Sequence, residues 1–133
     1  MGQQQLLLII LGVIIVGIAV AVGISMFTAS ATSANRDAVS SDLTNLASMA
    51  QQHYRRPGAM GGGNNSFDGS GGGQSWVIAA QLDTTANGFY AATVSADQVV
   101  IVGTGREIGN DGINPVELTC TVTPTAISSV SNN

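Results

Sequence analysis

Cys120 and His53 are the only cysteine and the only histidine in this chain, which removes most side-chain chemistry at the outset. One cysteine cannot close a disulfide within a chain. A zinc site built from Cys and His needs about four ligands. A hydrolase triad would have to use His53, and no Gly-x-Ser-x-Gly motif accompanies it. His53 borders an apolar helical stripe and is expected to be packed or interfacial. Cys120 alternates with Thr119 and Thr121 and reads as a small buried apolar residue.

Three further stretches have the spelling of a ligand site. Gly103-Thr104-Gly105-Arg106-Glu107-Ile108-Gly109 has the outline of a dinucleotide-binding turn, which works only inside a βαβ unit with a helix after it. Asn110-Asp111-Gly112 and Pro115 break the chain instead, so a turn-rich loop is expected. Asn110, Asp111, Asn114 and Glu117 carry the oxygen ligands calcium takes, but their order is not that of an EF-hand, and Asx-rich loops usually form turns for their own sake. Residues 58–75 hold two glycine triplets without the Lys-Ser/Thr that completes a phosphate loop, and include a sequon, Asn64-Asn65-Ser66. No catalytic residue, cofactor or metal site is expected.

Charge narrows the class further. Residues 1–35 carry no charged side chain. Beyond the first helical region, Asp68, Asp83, Asp97, Glu107, Asp111 and Glu117 face a single cation, Arg106. Nucleic acid is excluded as a partner, because binding it takes clustered Lys and Arg. The other cations are Arg36, Arg55 and Arg56, and the chain has no lysine.

The segment that must organise everything else is residues 6–27, LLLIILGVIIVGIAVAVGISMF. About 20 such residues cross a bilayer as a helix. A cleaved secretory signal is disfavoured, although Ala29-Ser30-Ala31 has the small-residue spelling, because a signal's apolar run is about 7–15 residues behind a basic start. The run does not end at a membrane edge. No Pro or Gly occurs from Ile24 to Arg56, and Val39, Leu43, Leu46 and Ala50 fall on one helical face with His53 and Tyr54 beside it. Asp37, Ser40, Ser41, Thr44, Asn45, Ser48, Gln51, Gln52 and Arg55 take the opposite face, and Pro57-Gly58 ends the pattern. One helix from near Gln3 to Arg56 would be roughly 80 Å long. Its first half would be apolar all round and its second half amphipathic.

A short polar start, an unbroken apolar stretch and an amphipathic continuation into a compact head together resemble the type IV pilin family, over about the first 56 residues. The resemblance implies a ladle-shaped α+β fold, in which residues 1–56 are the spine, 57–75 a loop and 76–133 an antiparallel β head covering the amphipathic half, 28–56. It implies a homopolymer assembled through Gln5, Leu6, Leu7, Leu8, Ile9, Ile10, Leu11, Val13, Ile14, Ile15, Val16, Ile18, Val20, Val22, Ile24 and Phe27. Gly12, Gly17 and Gly23 do not share a face; ordinary transmembrane glycine is the plain reading and local unwinding on assembly the sharper one. Ala19, Ala21 and Gly23 allow close helix approach. The family's glutamate at mature position five is Gln5 here if Met1 is the mature start. Alternatively, Gly2 and Gln3 resemble the family's processing site, which would make a prepilin peptidase a partner beside the assembly machinery. A leader lying outside this sequence is the favoured expectation.

The remainder reads as strands at residues 75–81, 88–94, 98–102 and 116–123, forming one antiparallel meander with a long loop before the last. Val39, Leu43, Leu46 and Ala50 are the expected cover for its apolar face. Residues 58–75 read as a flexible linker, with Met60 and Phe67 as possible points of attachment. The expected function is that of a filament subunit serving adhesion, attachment or motility, held in the cytoplasmic membrane before it reaches the cell surface. A pseudopilin of a secretion machine and a monomeric membrane-anchored binding domain are the alternatives. Conduction through stacked rings is rejected, because six aromatic residues spread over the chain give no continuous path.

Overall fold

The computed structural model describes residues 2–133. A single helix, α1, spans Gly2–Arg55. It runs unbroken because nothing in it removes a backbone donor, and it stops where Pro57 cannot continue it. Every residue from 2 to 30 is exposed, and burial begins at Thr32. Val39, Leu43, Leu46 and Ala50 are buried as their spacing requires, and Ala47 joins them.

Four strands form the sheet: β1 (Gly88–Val94), β2 (Val99–Ile108), β3 (Pro115–Val122) and β4 (Ile127–Ser131). They lie in chain order, each antiparallel to the next. The architecture is therefore the expected α+β layout, with α1 packed across β2 and β3. The residues of β2 and β3 that meet α1 alternate as a one-sided sheet demands: Val99, Ile101, Val116, Leu118, Cys120 and Val122 are buried.

Three expectations about the head are corrected. Residues 75–81 are not a sheet strand: Ser75 makes an isolated bridge to Asp68, and the chain turns at Ala79, whose carbonyl accepts from the Leu82 and Asp83 amides. Trp76 is buried all the same, because it covers the core rather than joining the ladder. The edge of β1 is already occupied, since the Tyr90 amide donates to the Asp83 carbonyl at 2.8 Å. Second, the glycine motif at residues 103–109 is mostly strand. At Gly103 a Cβ would lie 2.8 Å from Val39 Cγ1, and at Gly105 it would collide with Asn35 Oδ1. These glycines let the helix approach the sheet. With β2 running to Ile108, the loop before β3 shrinks to a tight turn closed by the Gly109 amide on the Asn114 carbonyl, 2.7 Å. Third, β4 was not anticipated.

The glycine-rich segment is corrected as well. The last carbonyls of a helix lack internal partners, and this segment supplies them. The Gly63 amide donates to His53 O at 2.8 Å, Asn65 to Tyr54 O at 2.8 Å, and Asn64 to Arg56 O at 3.0 Å. Asn64 and Asn65 hold φ of 54° and 65°, the left-handed region Asn tolerates better than most residues. Phe67 is fully buried, its ring centroid 4.8 Å from that of Tyr54, whereas Met60 is exposed and fastens nothing. Residues 58–75 are thus a cap built onto the end of α1.

Candidate assembly surface

The largest chemical feature of the molecule is uncovered apolar surface. The large side chains among residues 6–27 are between 52% and 79% exposed, with no bare or covered side to distinguish one face from another. The helix is long and apolar enough to cross a membrane. A helix apolar on every face needs apolar surroundings, which either lipid or other helices provide. Gly12, Gly17 and Gly23 have open space where a Cβ would be, and α1 passes through them without a break in this single chain. Gly2, Gln3 and Gln5 lie in its exposed first turns. Thr28 Oγ1 returns its hydrogen bond to the Ile24 carbonyl at 3.0 Å, leaving the outer surface without a committed polar group at that level.

One continuous helix joins this surface to the head. Below the apolar stripe two polar residues of α1 clamp the sheet. Asn35 Oδ1 accepts from the Arg106 and Glu107 amides at 3.1 and 3.3 Å, while its Nδ2 donates to the Asn87 carbonyl at 2.9 Å. Asp42 Oδ2 accepts from Tyr90 Oη at 2.6 Å, Asn87 Nδ2 at 3.0 Å and Thr85 Oγ1 at 3.3 Å. Sequence reasoning missed both. The signal was present: residues 35, 39, 42 and 46 repeat at helical spacing, so Asn35 and Asp42 share the core-facing side and had to be satisfied there. Arg36 Nη2 donates to the Asn133 carbonyl at 2.6 Å, and Asn133 in turn holds β3, with its Nδ2 donating to Pro115 O at 2.8 Å.

The Asp42–Tyr90 contact makes a pH prediction. Burial of the ring, and secondarily the hydrogen bond to Asp42, raise the Tyr90 pKa well above its ordinary 10.0. The folded chain then keeps a proton that the unfolded chain releases, so this stabilisation is complete below about pH 10 and is lost as pH rises beyond it. Burial raises the Cys120 thiol in the same sense. Melting temperatures from about pH 8 to about pH 11 should fall steeply for the wild type and less steeply for Tyr90→Phe. Equal slopes would show that Tyr90 does not carry this proton linkage.

The remaining candidates for chemistry are structurally occupied. Asp111 Oδ1 accepts from the Ile113 and Asn114 amides, each at 3.0 Å, and Oδ2 accepts from Asn114 Nδ2 at 2.8 Å. Those bonds hold the Asp111 carboxyl below the usual carboxylate range. Glu117 Oε1 accepts from Asn132 Nδ2 at 2.6 Å, and Asn110 is exposed in the same turn. Among the described residues, no three His, Cys, Asp or Glu side chains gather as a metal set. His53 Nε2 donates to the Gln74 carbonyl at 2.6 Å, tying the cap to the helix. Cys120 is buried with its thiol form favoured, the reverse of a reactive cysteine. In the sequon, Asn64 Nδ2 donates to Gly71 O at 2.7 Å and the Ser66 hydroxyl is buried on Asp68. No protein-family model, curated protein or solved structure matches this chain.

Proposed function

We propose that this protein is the subunit of a type IV pilin-like extracellular filament, in which the apolar half of α1 leaves lipid and packs against the same half of other copies. The observation that carries this reading is the division of labour within one continuous helix. Residues 2–30 are exposed on every side, while Val39, Leu43, Leu46, Ala47 and Ala50 of the same helix form the core of the head. A membrane anchor needs only the first half, and it has no use for a straight extension clamped to the head by Asn35 and Asp42. A spine needs both, because head positions in a fibre are set by the packing of the helices to which they are fixed. The apolar side chains from Leu6 to Phe27 together form the assembly surface, since all of them are exposed.

The membrane in this account is the store from which subunits are drawn, and the cell surface is where the fibre stands. Adhesion, attachment or motility are the roles such a fibre serves. Electron microscopy of material sheared from cells expressing the chain tests the reading: long fibres containing it are expected. Short or cell-retained assemblies would favour the secretion pseudopilin, and a chain that stays dispersed in the membrane would favour the monomeric anchor.

A further inference from the structure

The two most exposed large apolar side chains of the head lie at opposite ends of it. Ile113 is 78% exposed and Val77 is 77% exposed. Each has charged side chains nearby. Ile113 projects from the turn between β2 and β3, bonded through its amide to Asp111, with exposed Glu107 near the end of β2, at the end of the head nearest the apolar half of α1: Thr32 Oγ1 donates to the Ile108 carbonyl at 2.9 Å. Val77 lies at the other end, where it lines an open cleft of about 420 Å³ with Met49, His53 and exposed Arg56, while exposed Asp83 shares a second cleft on its other side. Of the other cations, Arg106 is engaged with Phe89 and the Thr85 carbonyl, Arg36 with Asn133, and Arg55 with the Pro124 carbonyl.

The turn is also built to be presented. The Asp111 carboxylate accepts from the Ile113 and Asn114 amides, and Gly112 takes a φ of 72°, so Ile113 is held out by the turn's own hydrogen bonds. A preorganised prong loses little conformational entropy on docking. The prong and the cleft cannot meet within one chain, since some 20 residues of α1 separate Thr32 from His53, roughly 30 Å.

The geometry points to a head-to-tail contact between copies: the Glu107–Ile113 turn of one subunit seats in the Met49–Arg56–Val77 cleft of the next, with Ile113 against Val77 and Met49, and Glu107 and Asp111 facing Arg56. The occupant is a second copy of this chain, displaced by roughly 30 Å along the helix direction. A contact between two different surfaces of identical chains closes as a ring or propagates as an open fibre, and a displacement along the helix direction gives the fibre. This inference rests on the filament reading and adds to it a second, head-level interface that sets the axial step.

The test uses full-length fibres. Val77→Cys with Ile113→Cys in one chain, oxidised after assembly, should give a ladder of covalent multimers, because each copy carries both halves of the contact. Either single variant can give at most dimers, and buried Cys120 stays silent. Double-variant fibres that yield only monomers and dimers overturn the head-to-tail contact while leaving the filament reading intact; wild-type chains that form no fibres remove that reading and this inference with it. If the cysteine pair itself prevents assembly, charge exchange decides. Arg56→Glu and Glu107→Arg should each lose most of the fibre yield with an unchanged melting temperature, and their combination should recover part of it. No recovery in the combined variant overturns the proposal.

Discussion

Replacing Leu43 by Asp is expected to abolish cooperative thermal unfolding of the head, measured in a fragment beginning at Thr28. Leu43 is fully buried between α1 and the sheet. A carboxylate there has no cation and no water, and its burial costs several kcal/mol. The whole domain is stabilised by about 5–15 kcal/mol, with a small domain near the lower end. Leu43→Ala removes methyl groups without adding charge and should cost about 2–5 kcal/mol, leaving a lower but still cooperative transition. Circular dichroism distinguishes the three cases. An unchanged melting temperature for Leu43→Asp would mean that the helix is not the cover of this sheet.

The second large effect is expected at Ile15, which is 57% exposed in the single chain and has nothing but apolar neighbours along the helix. In a bilayer, one central charge is softened by snorkelling and water defects to about 2.5–3.5 kcal/mol on insertion scales. In a fibre the same charge recurs in every subunit, and like charges are brought together in a core without water. Ile15→Glu should therefore leave protein in the membrane fraction and abolish fibres. Ser41→Glu, on the exposed polar face of the same helix, should have a mild effect. The quantity to compare is fibre yield per unit of membrane protein. Normal fibres from Ile15→Glu would place this segment outside any packed core and would mean that contacts between heads hold the fibre together.

The parts of the fold that were legible in the sequence are those whose periodicity had one interpretation. The helix from Gly2 to Arg55 follows from an unbroken apolar run continuing into a 3.6-residue stripe, and β1 coincides with the expected residues 88–94. β3 falls within one residue of expectation at each end. Other elements were hidden for identifiable physical reasons. β4 reads Ile-Ser-Ser-Val-Ser, and all five residues are exposed, so a short edge strand left no apolar pattern to detect. Trp76 and Ile78 looked like strand residues because burial selects the same side chains whether or not the backbone joins a ladder. Glycine was the main source of error. In residues 103–109 it suggested a turn-rich loop and in residues 58–75 a flexible tether, but in both places the missing side chain makes room for backbone or helix. At Gly63 an added Cβ would collide with the Ser66 carbonyl, a requirement that composition cannot reveal.

The polar clamps have a similar lesson. Asp42 belongs to neither the apolar stripe nor the solvent face, and its three donors come from residues 43 to 48 positions further along the chain. Its place on the helix was readable, whereas its partners depended on how the segment before β1 folds back. The exposed apolar run required no such long-range information, since a run that is apolar on all faces declares itself locally.

The central claim is that exposed residues 6–27 become the interior of a fibre. Its most direct measurement is a cross-sectional reconstruction, by electron cryomicroscopy, of fibres sheared from the cell surface. The account predicts a central bundle of continuous or locally unwound helices formed by residues 6–27 of successive subunits, with the β heads outside. Fibres whose centre is built from heads, with the apolar helices at the periphery or missing, would contradict it.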